Sequence, residues 1–153
     1  MDQLNHEIYM KRALSLAKKA GKSNEVPIGA VIVKNGKVIA EGYNRRERKR
    51  DATAHAEILA IKKACKKLHD FRLIDCTIYV TLEPCTMCMG AILNSRCKKL
   101  VFGASQDKEN ILTAREINER AELNHKVEII SGVLSDESSM LVSSYFKSKR
   151  KKQ

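Results

Sequence analysis

Apolar residues along this chain recur with two periods, and the places where one period gives way to the other mark its elements. Over residues 4–20 they fall at helical spacing, with Leu4, Ile8, Leu14 and Ala17 on the inward side and Gly21 as a stop. Two strand-like runs follow at 28–34 and 37–43, separated by Asn35-Gly36. That dipeptide tolerates the positive φ angles of a two-residue hairpin turn, so the strands are predicted to be antiparallel neighbours. Thr53 is suited to cap a helix over 54–67, in which Ile58, Leu59, Ile61, Ala64 and Cys65 keep helical spacing. Beyond it the pattern predicts strands at 76–82, 100–103 and 127–130, interleaved with helices at 85–95, 109–121 and 136–149.

Alternation of helix and strand over the second half implies right-handed parallel crossovers, added to an antiparallel hairpin. The predicted class is therefore α/β, with a mixed five-stranded sheet covered by helices on both faces. At 153 residues, without internal repeat or linker, the chain reads as a single domain (1–153) ending in a basic tail from about residue 147. No apolar run approaches membrane-spanning length, and the first residues lack the basic and apolar segments of a leader, which predicts a cytoplasmic protein. The cysteines number five, an odd count. Cys65, Cys76 and Cys97 are scattered singly through apolar segments and read as reduced core residues, not as a disulfide framework.

Formal net charge is +11, and most of it is concentrated. The stretch from Arg45 and Arg46 to Arg50 holds +4 and that from Lys147 to Lys152 holds +5, together nine of the eleven. A charge run in general is a solvated loop or frayed tail. Here the first run directly precedes the residues that carry the chemistry, which favours contact with a polyanion such as a phosphate-bearing substrate.

Those residues are His55-Ala56-Glu57 and, thirty positions on, Pro84-Cys85-Thr86-Met87-Cys88. Each string is weak alone: His-x-Glu is commonly a polar helix end, and Cys-x-x-Cys serves redox pairs and zinc ribbons as well. Together they offer one imidazole, two thiolates and a spare carboxylate. Structural zinc is closed by four protein ligands, whereas catalytic zinc keeps three and leaves a place for water, whose pKa it lowers to about 7. His55, Cys85 and Cys88 are the three predicted zinc ligands, and Glu57 the predicted proton carrier. Both strings are expected in the first turns of helices, whose partial positive charge favours thiolate over thiol.

These residues also carry a resemblance. His-x-Glu followed by Pro-Cys-x-x-Cys is the pattern of zinc nucleobase deaminases. The chain resembles the cytidine deaminase-like superfamily, and within it the bacterial tRNA-specific adenosine deaminases, through Glu25-Val26-Pro27-Ile28-Gly29-Ala30-Val31, Gly42-Tyr43-Asn44, Thr53-Ala54-His55-Ala56-Glu57, Tyr79 to Cys85, Met87-Cys88 and Val101-Phe102-Gly103-Ala104. The resemblance implies a three-layer α/β/α sandwich, a homodimer, one Zn2+ per subunit, and conversion of adenosine to inosine at the wobble position of a tRNA anticodon stem-loop. It further implies that Asn44 and the Ala56 backbone N–H bind the base, that Leu82, Glu83 and Pro84 form the pocket wall, and that Tyr145 and Phe146 support loop nucleotides. On residue pattern alone Asn44 is a turn residue, and Tyr145 and Phe146 are core or cap residues.

The chain departs from that family's pattern twice. Ala52 stands where the family usually has proline, which predicts a less rigid entry to the zinc histidine. After Ala104 the family usually continues with aspartate and a glycine-rich loop, whereas here Ser105-Gln106-Asp107-Lys108-Glu109-Asn110-Ile111-Leu112 contains no glycine. A reshaped opening would admit a different RNA loop or a free base or nucleoside. A third reading, from another class, is a non-enzymatic zinc-stabilised RNA-binding module in which Cys97 supplies a fourth ligand.

Overall fold

The computed structural model describes residues 3–106, 112–120 and 125–151. The first helix, α1 (Gln3–Lys22), runs through Gly21. Two residues beyond its end Asn24 is left-handed (φ 60°), after which the Glu25 N–H returns to the Ala20 carbonyl. Met10, Ala13, Ala17 and Ala20 form its buried stripe, with Leu14 and Leu16 beside them. Ile8, expected inside, is exposed. The inward position falls to His6, whose Nδ1 lies 2.8 Å from the Tyr79 hydroxyl, so a polar pair replaces an apolar contact there. The side chain of Leu4 lies outside the described residues.

Strands β1 (Gly29–Lys34) and β2 (Lys37–Tyr43) form the predicted hairpin, with Asn35 and Gly36 both at positive φ (51° and 73°). Ile32 faces Ala40 while Val33 faces Val38, so Ile39 is an extra residue that bends β2. A four-residue helix, α2 (Arg46–Lys49), occupies the basic stretch and leads to α3 (Ala56–Leu68). There follow β3 (Cys76–Leu82), α4 (Thr86–Asn94), β4 (Lys99–Ala104), α5 (Ala114–Arg120), β5 (Glu128–Ile130) and α6 (Ser135–Lys151). The helix expected over 109–121 is thus confined to Ala114–Arg120, since Leu112 and Thr113 are not helical and 109–111 and Ala121 lie outside the described residues.

Sheet order is β2-β1-β3-β4-β5, with β1 antiparallel to β2 and β3 and the last three strands parallel. Alternate residues of the central strands feed two cores. Val31, Val33, Tyr79 and Val101 meet α1, while Ala30, Ile32, Ile78, Val80, Leu100 and Phe102 meet residues of α3, α4 and α5. The result is a three-layer α/β/α sandwich around a mixed five-stranded sheet.

One close approach sets where α3 begins. A Cβ at Gly42 would stand 2.4 Å from the Ala56 carbonyl oxygen and 2.9 Å from the Ala60 nitrogen, so only glycine lets the helix lie this near β2. Gly42→Ala is expected to lower stability by about 1–3 kcal/mol through overpacking, read as a lower midpoint of chemical denaturation. An unchanged midpoint would show that α3 is not held by this contact.

Candidate active site

Helix α3 starts two residues later than its sequence suggests. Thr53 does not cap it: the backbone N–H and the hydroxyl of Thr53 both donate to Asp51 Oδ1, at 2.8 and 2.7 Å. This turn anchors the segment that Ala52 was expected to loosen. The N-cap is His55, in extended conformation (φ −75°, ψ 154°), and Ala56 and Glu57 open the helix. Helix α4 is built alike, with Pro84 preceding an extended N-cap, Cys85 (φ −74°, ψ 176°), and Cys88 in the first turn. Placing His55 ahead of the helix solves the problem that residues i and i+2 point to different sides of a helix, because the imidazole leaves before the spiral begins.

The two helix N-termini meet at the ends of β2 and β3 and bring three donors together. His55 Nδ1 is 3.7 Å from Cys85 Sγ and 3.4 Å from Cys88 Sγ, and all three donor atoms lie within 4.8 Å of one another. Cys97, the candidate fourth ligand, is outside this group: its buried thiol donates to the Cys76 carbonyl at 3.2 Å. Glu57 is buried beside the cluster, and its carboxylate adds to the rise of the Cys88 thiol.

Protonation follows from that crowding. The hydrogen bond from Cys88, helped by His55, pulls the Cys85 thiol down to about 4, while the same bond and then burial push Cys88 strongly up. His55 is raised, chiefly by its hydrogen bond with Cys85. Burial lifts Glu57 to about 7. A second thiolate so close to the first would meet repulsion in a desolvated site. A divalent ion removes that conflict, and one imidazole with two thiolates is a donor set suited to zinc.

A cavity of about 490 Å³ leads from His55, Ala56 and Glu57 to the surface. Asn44, Arg46, Leu82 and Phe146 line it, as do Val26, Ile28, Ala104, Ser105 and Gln106. The α6 residues Ser139, Val142, Ser143 and Phe146 form its far wall at i, i+3, i+4 and i+7 spacing. That spacing is the signal by which Ser139, Val142 and Ser143, absent from the expected site, could have been found. Asn44 is nine-tenths buried, donating to the Val26 carbonyl and accepting from the Arg46 N–H, both at 3.3 Å, so it ties the hairpin's exit to the basic stretch.

Other expected wall residues lie elsewhere. Glu83 and Pro84 border a small adjoining pocket and not this cavity. The Glu83 carboxylate turns away to accept the N–H groups of Gln106 (3.0 Å) and Ala114 (2.7 Å), fastening the segment after β4, because two backbone donors outbid an open cavity for a buried charge. Arg45 stacks over Tyr43, 5.7 Å from its ring centre. Tyr145 donates to the Asn24 carbonyl at 3.0 Å and meets Phe146 edge-on, opening to a neighbouring cavity. Glu25, buried, accepts from the Glu47 and Arg48 N–H groups and so holds α2 at the rim.

Fold and site together define a deaminase class, and comparison with known proteins agrees. The model of the MafB19-like deaminase family matches residues 4–137. A tRNA-specific adenosine deaminase of Bacillus subtilis (strain 168) is 47% identical over 148 residues, covering 96% of this chain and 92% of that protein. Among solved structures, one from a study of A-to-I editing by tRNA:A34 deaminases at the wobble position superposes with a TM-score of 0.82 at 40% identity, over 87% of this chain and 97% of the other. A guanine deaminase from Nitrosomonas europaea aligns at 28% identity with a TM-score of 0.78, over 91% and 83%. The chain belongs to the family of tRNA-specific adenosine deaminases.

The geometry makes the fourth-ligand reading directly testable. Cys97→Ser is expected to retain the zinc content of the parent protein, measured by elemental analysis, whereas Cys88→Ser loses most of it. Loss of metal in the Cys97 variant would mean a closed, structural site.

Proposed function

We propose that this chain is a zinc-dependent hydrolase that converts adenosine to inosine at the wobble position of a tRNA anticodon, with water consumed and ammonia released. The observation that carries this reading is the cavity that reaches Glu57 at its floor and has Arg46 and Phe146 in its walls. Cation and aromatic suit a nucleotide within a polyanion better than a free neutral base. The family's tRNA deaminases supply the substrate by similarity.

His55, Cys85 and Cys88 would hold the metal. Zinc bound there would supply a water acidified to about 7. The Glu57 carboxylate, buried beside the trio but not itself a ligand, takes a proton from the water that adds at C6 of the adenine and delivers it to N1. It then carries the second proton to the departing amine, leaving the carbonyl of inosine. Ala56 presents its backbone N–H at the start of α3 and Asn44 its amide at the cavity wall, which suit them to orient the base. Leu82 closes one side. Glu83 and Pro84 act from behind the wall, and Tyr145, Arg45 and the basic stretch beyond them act on the flanking RNA. Ser105 and Gln106, the first residues after Ala104 where the family usually has an aspartate and a glycine-rich loop, line the mouth.

We further propose a homodimer in the cytoplasm. The exposed Phe71, Ile74 and Met87 are apolar surface that a second copy would cover, and among the described residues no helix is long and apolar enough to cross a membrane.

Incubation with an adenosine-containing anticodon stem-loop is expected to yield inosine, detected by mass spectrometry of the digested RNA. Glu57→Gln should lower the rate by at least about 10²–10⁴-fold while zinc is retained. Unaltered RNA, together with ammonia release from guanine or a free nucleoside, would transfer the protein to the second reading, which its likeness to a guanine deaminase keeps in view.

A further inference from the structure

The catalytic cavity is the first of four depressions that share walls along one side of the molecule. Asn44 and Arg46 also line a second, of about 300 Å³, whose Tyr145 and Lys149 belong equally to a third, about 810 Å³. That third lies between α1 and α6 and shares Lys18 and Ser144 with a fourth, about 620 Å³, that reaches Lys11. A continuous groove therefore runs from the site of chemistry along the second half of α1, as far as Lys11.

Its α1 wall is a stripe. Lys11, Ser15, Lys18 and Lys22 stand at i, i+4, i+7 and i+11, on one helix face, spanning about 16 Å at 1.5 Å per residue. The three lysines are exposed, and among the described residues none of them is in an ion pair. Arg12, one position round the helix from Lys11, is by contrast engaged with Glu41. The opposite wall carries the hydroxyls of Ser144 and Ser148 and the Lys149 ammonium. Along the stretch between α1 and α6 two carboxylates, Glu47 and Glu137, face the cations Lys11, Lys18, Lys22 and Lys149, and the second depression sets Glu25 and Asp51 beside Arg46 and Arg50, so cations prevail between α1 and α6.

We propose that the α1–α6 groove seats the phosphodiester backbone of the RNA whose target base enters the catalytic cavity, with Lys11, Lys18 and Lys22 contacting the strand that leaves the loop toward its stem. The identity of the polyanion as RNA rests on the function proposed above; the path rests on the shared walls and on the unpaired lysine stripe. An unpaired lysine gains little from its neighbours and releases condensed counterions when it meets a phosphate, which gives each contact a salt-dependent signature.

Binding of two RNAs to the zinc-loaded Glu57→Gln protein separates the possibilities without chemistry intervening: an anticodon stem-loop, and the same loop as a linear oligonucleotide. Changing Lys11, Lys18 and Lys22 together to Gln is expected to weaken stem-loop binding about tenfold near 0.1 M salt and to reduce the slope of log K against log salt by about two to three, with an effect of about twofold or less on the linear RNA. The triple Arg variant should bind as the parent does. Unchanged stem-loop affinity and slope overturn the proposal, as does an equal loss when Lys37, Lys66 and Lys67, outside the groove, are changed to Gln instead. A shift in sedimentation without a change in RNA binding also overturns it, in favour of a second copy of the chain in the groove. If the groove effect is found but active enzyme leaves adenosine unaltered, the reaction assignment fails while the groove assignment stands.

Discussion

Two thiols and an imidazole, held within 4.8 Å of one another at the ends of two helices, form the constraint on which the rest of the molecule depends. Left to themselves these groups oppose the fold, because a desolvated pair of thiolates repels and one sulfur must keep its proton. Helix N-termini soften the conflict by placing partial positive charge beside the sulfurs. A divalent cation would resolve it. The arrangement is thus a site whose stability and reactivity share one cause, and the sheet serves to bring α3 and α4 to the same point.

That convergence is secured by contacts that take no part in the chemistry. Gly42 lets α3 settle against β2, and the Asp51–Thr53 turn fixes the approach to His55. Two buried carboxylates act as clamps on backbone N–H groups. Glu25 holds α2 and with it the basic stretch, and Glu83 holds Gln106 and Ala114. Each satisfies donors that a short helix or loop would otherwise leave unbonded, so the rim of the cavity is as well determined as its floor. Charge is distributed on the same plan: basic side chains stand at the mouth of the cavity, in the second cavity and along the exposed face of α1.

Sequence by itself determined those features that depend on near neighbours. The hairpin follows from Asn35-Gly36, since few other residues adopt the positive φ angles found there, and the strand spans follow from apolar periodicity. The grouping of His55, Cys85 and Cys88, with Glu57 beside them, was legible because zinc chemistry restricts both residue type and spacing. Tertiary structure alone decided where α3 starts, because Thr53 had two possible partners and Asp51 was the nearer. It decided that Ile8 faces outward, because His6 found Tyr79 across the sheet. It also decided that Ser139, Val142 and Ser143 of α6 complete a cavity begun by Asn44 and His55, and that Glu83 turns its carboxylate to Ala114 and not to that cavity. These outcomes join residues up to about a hundred positions apart, and such pairings are set by how the layers pack, which no local pattern records.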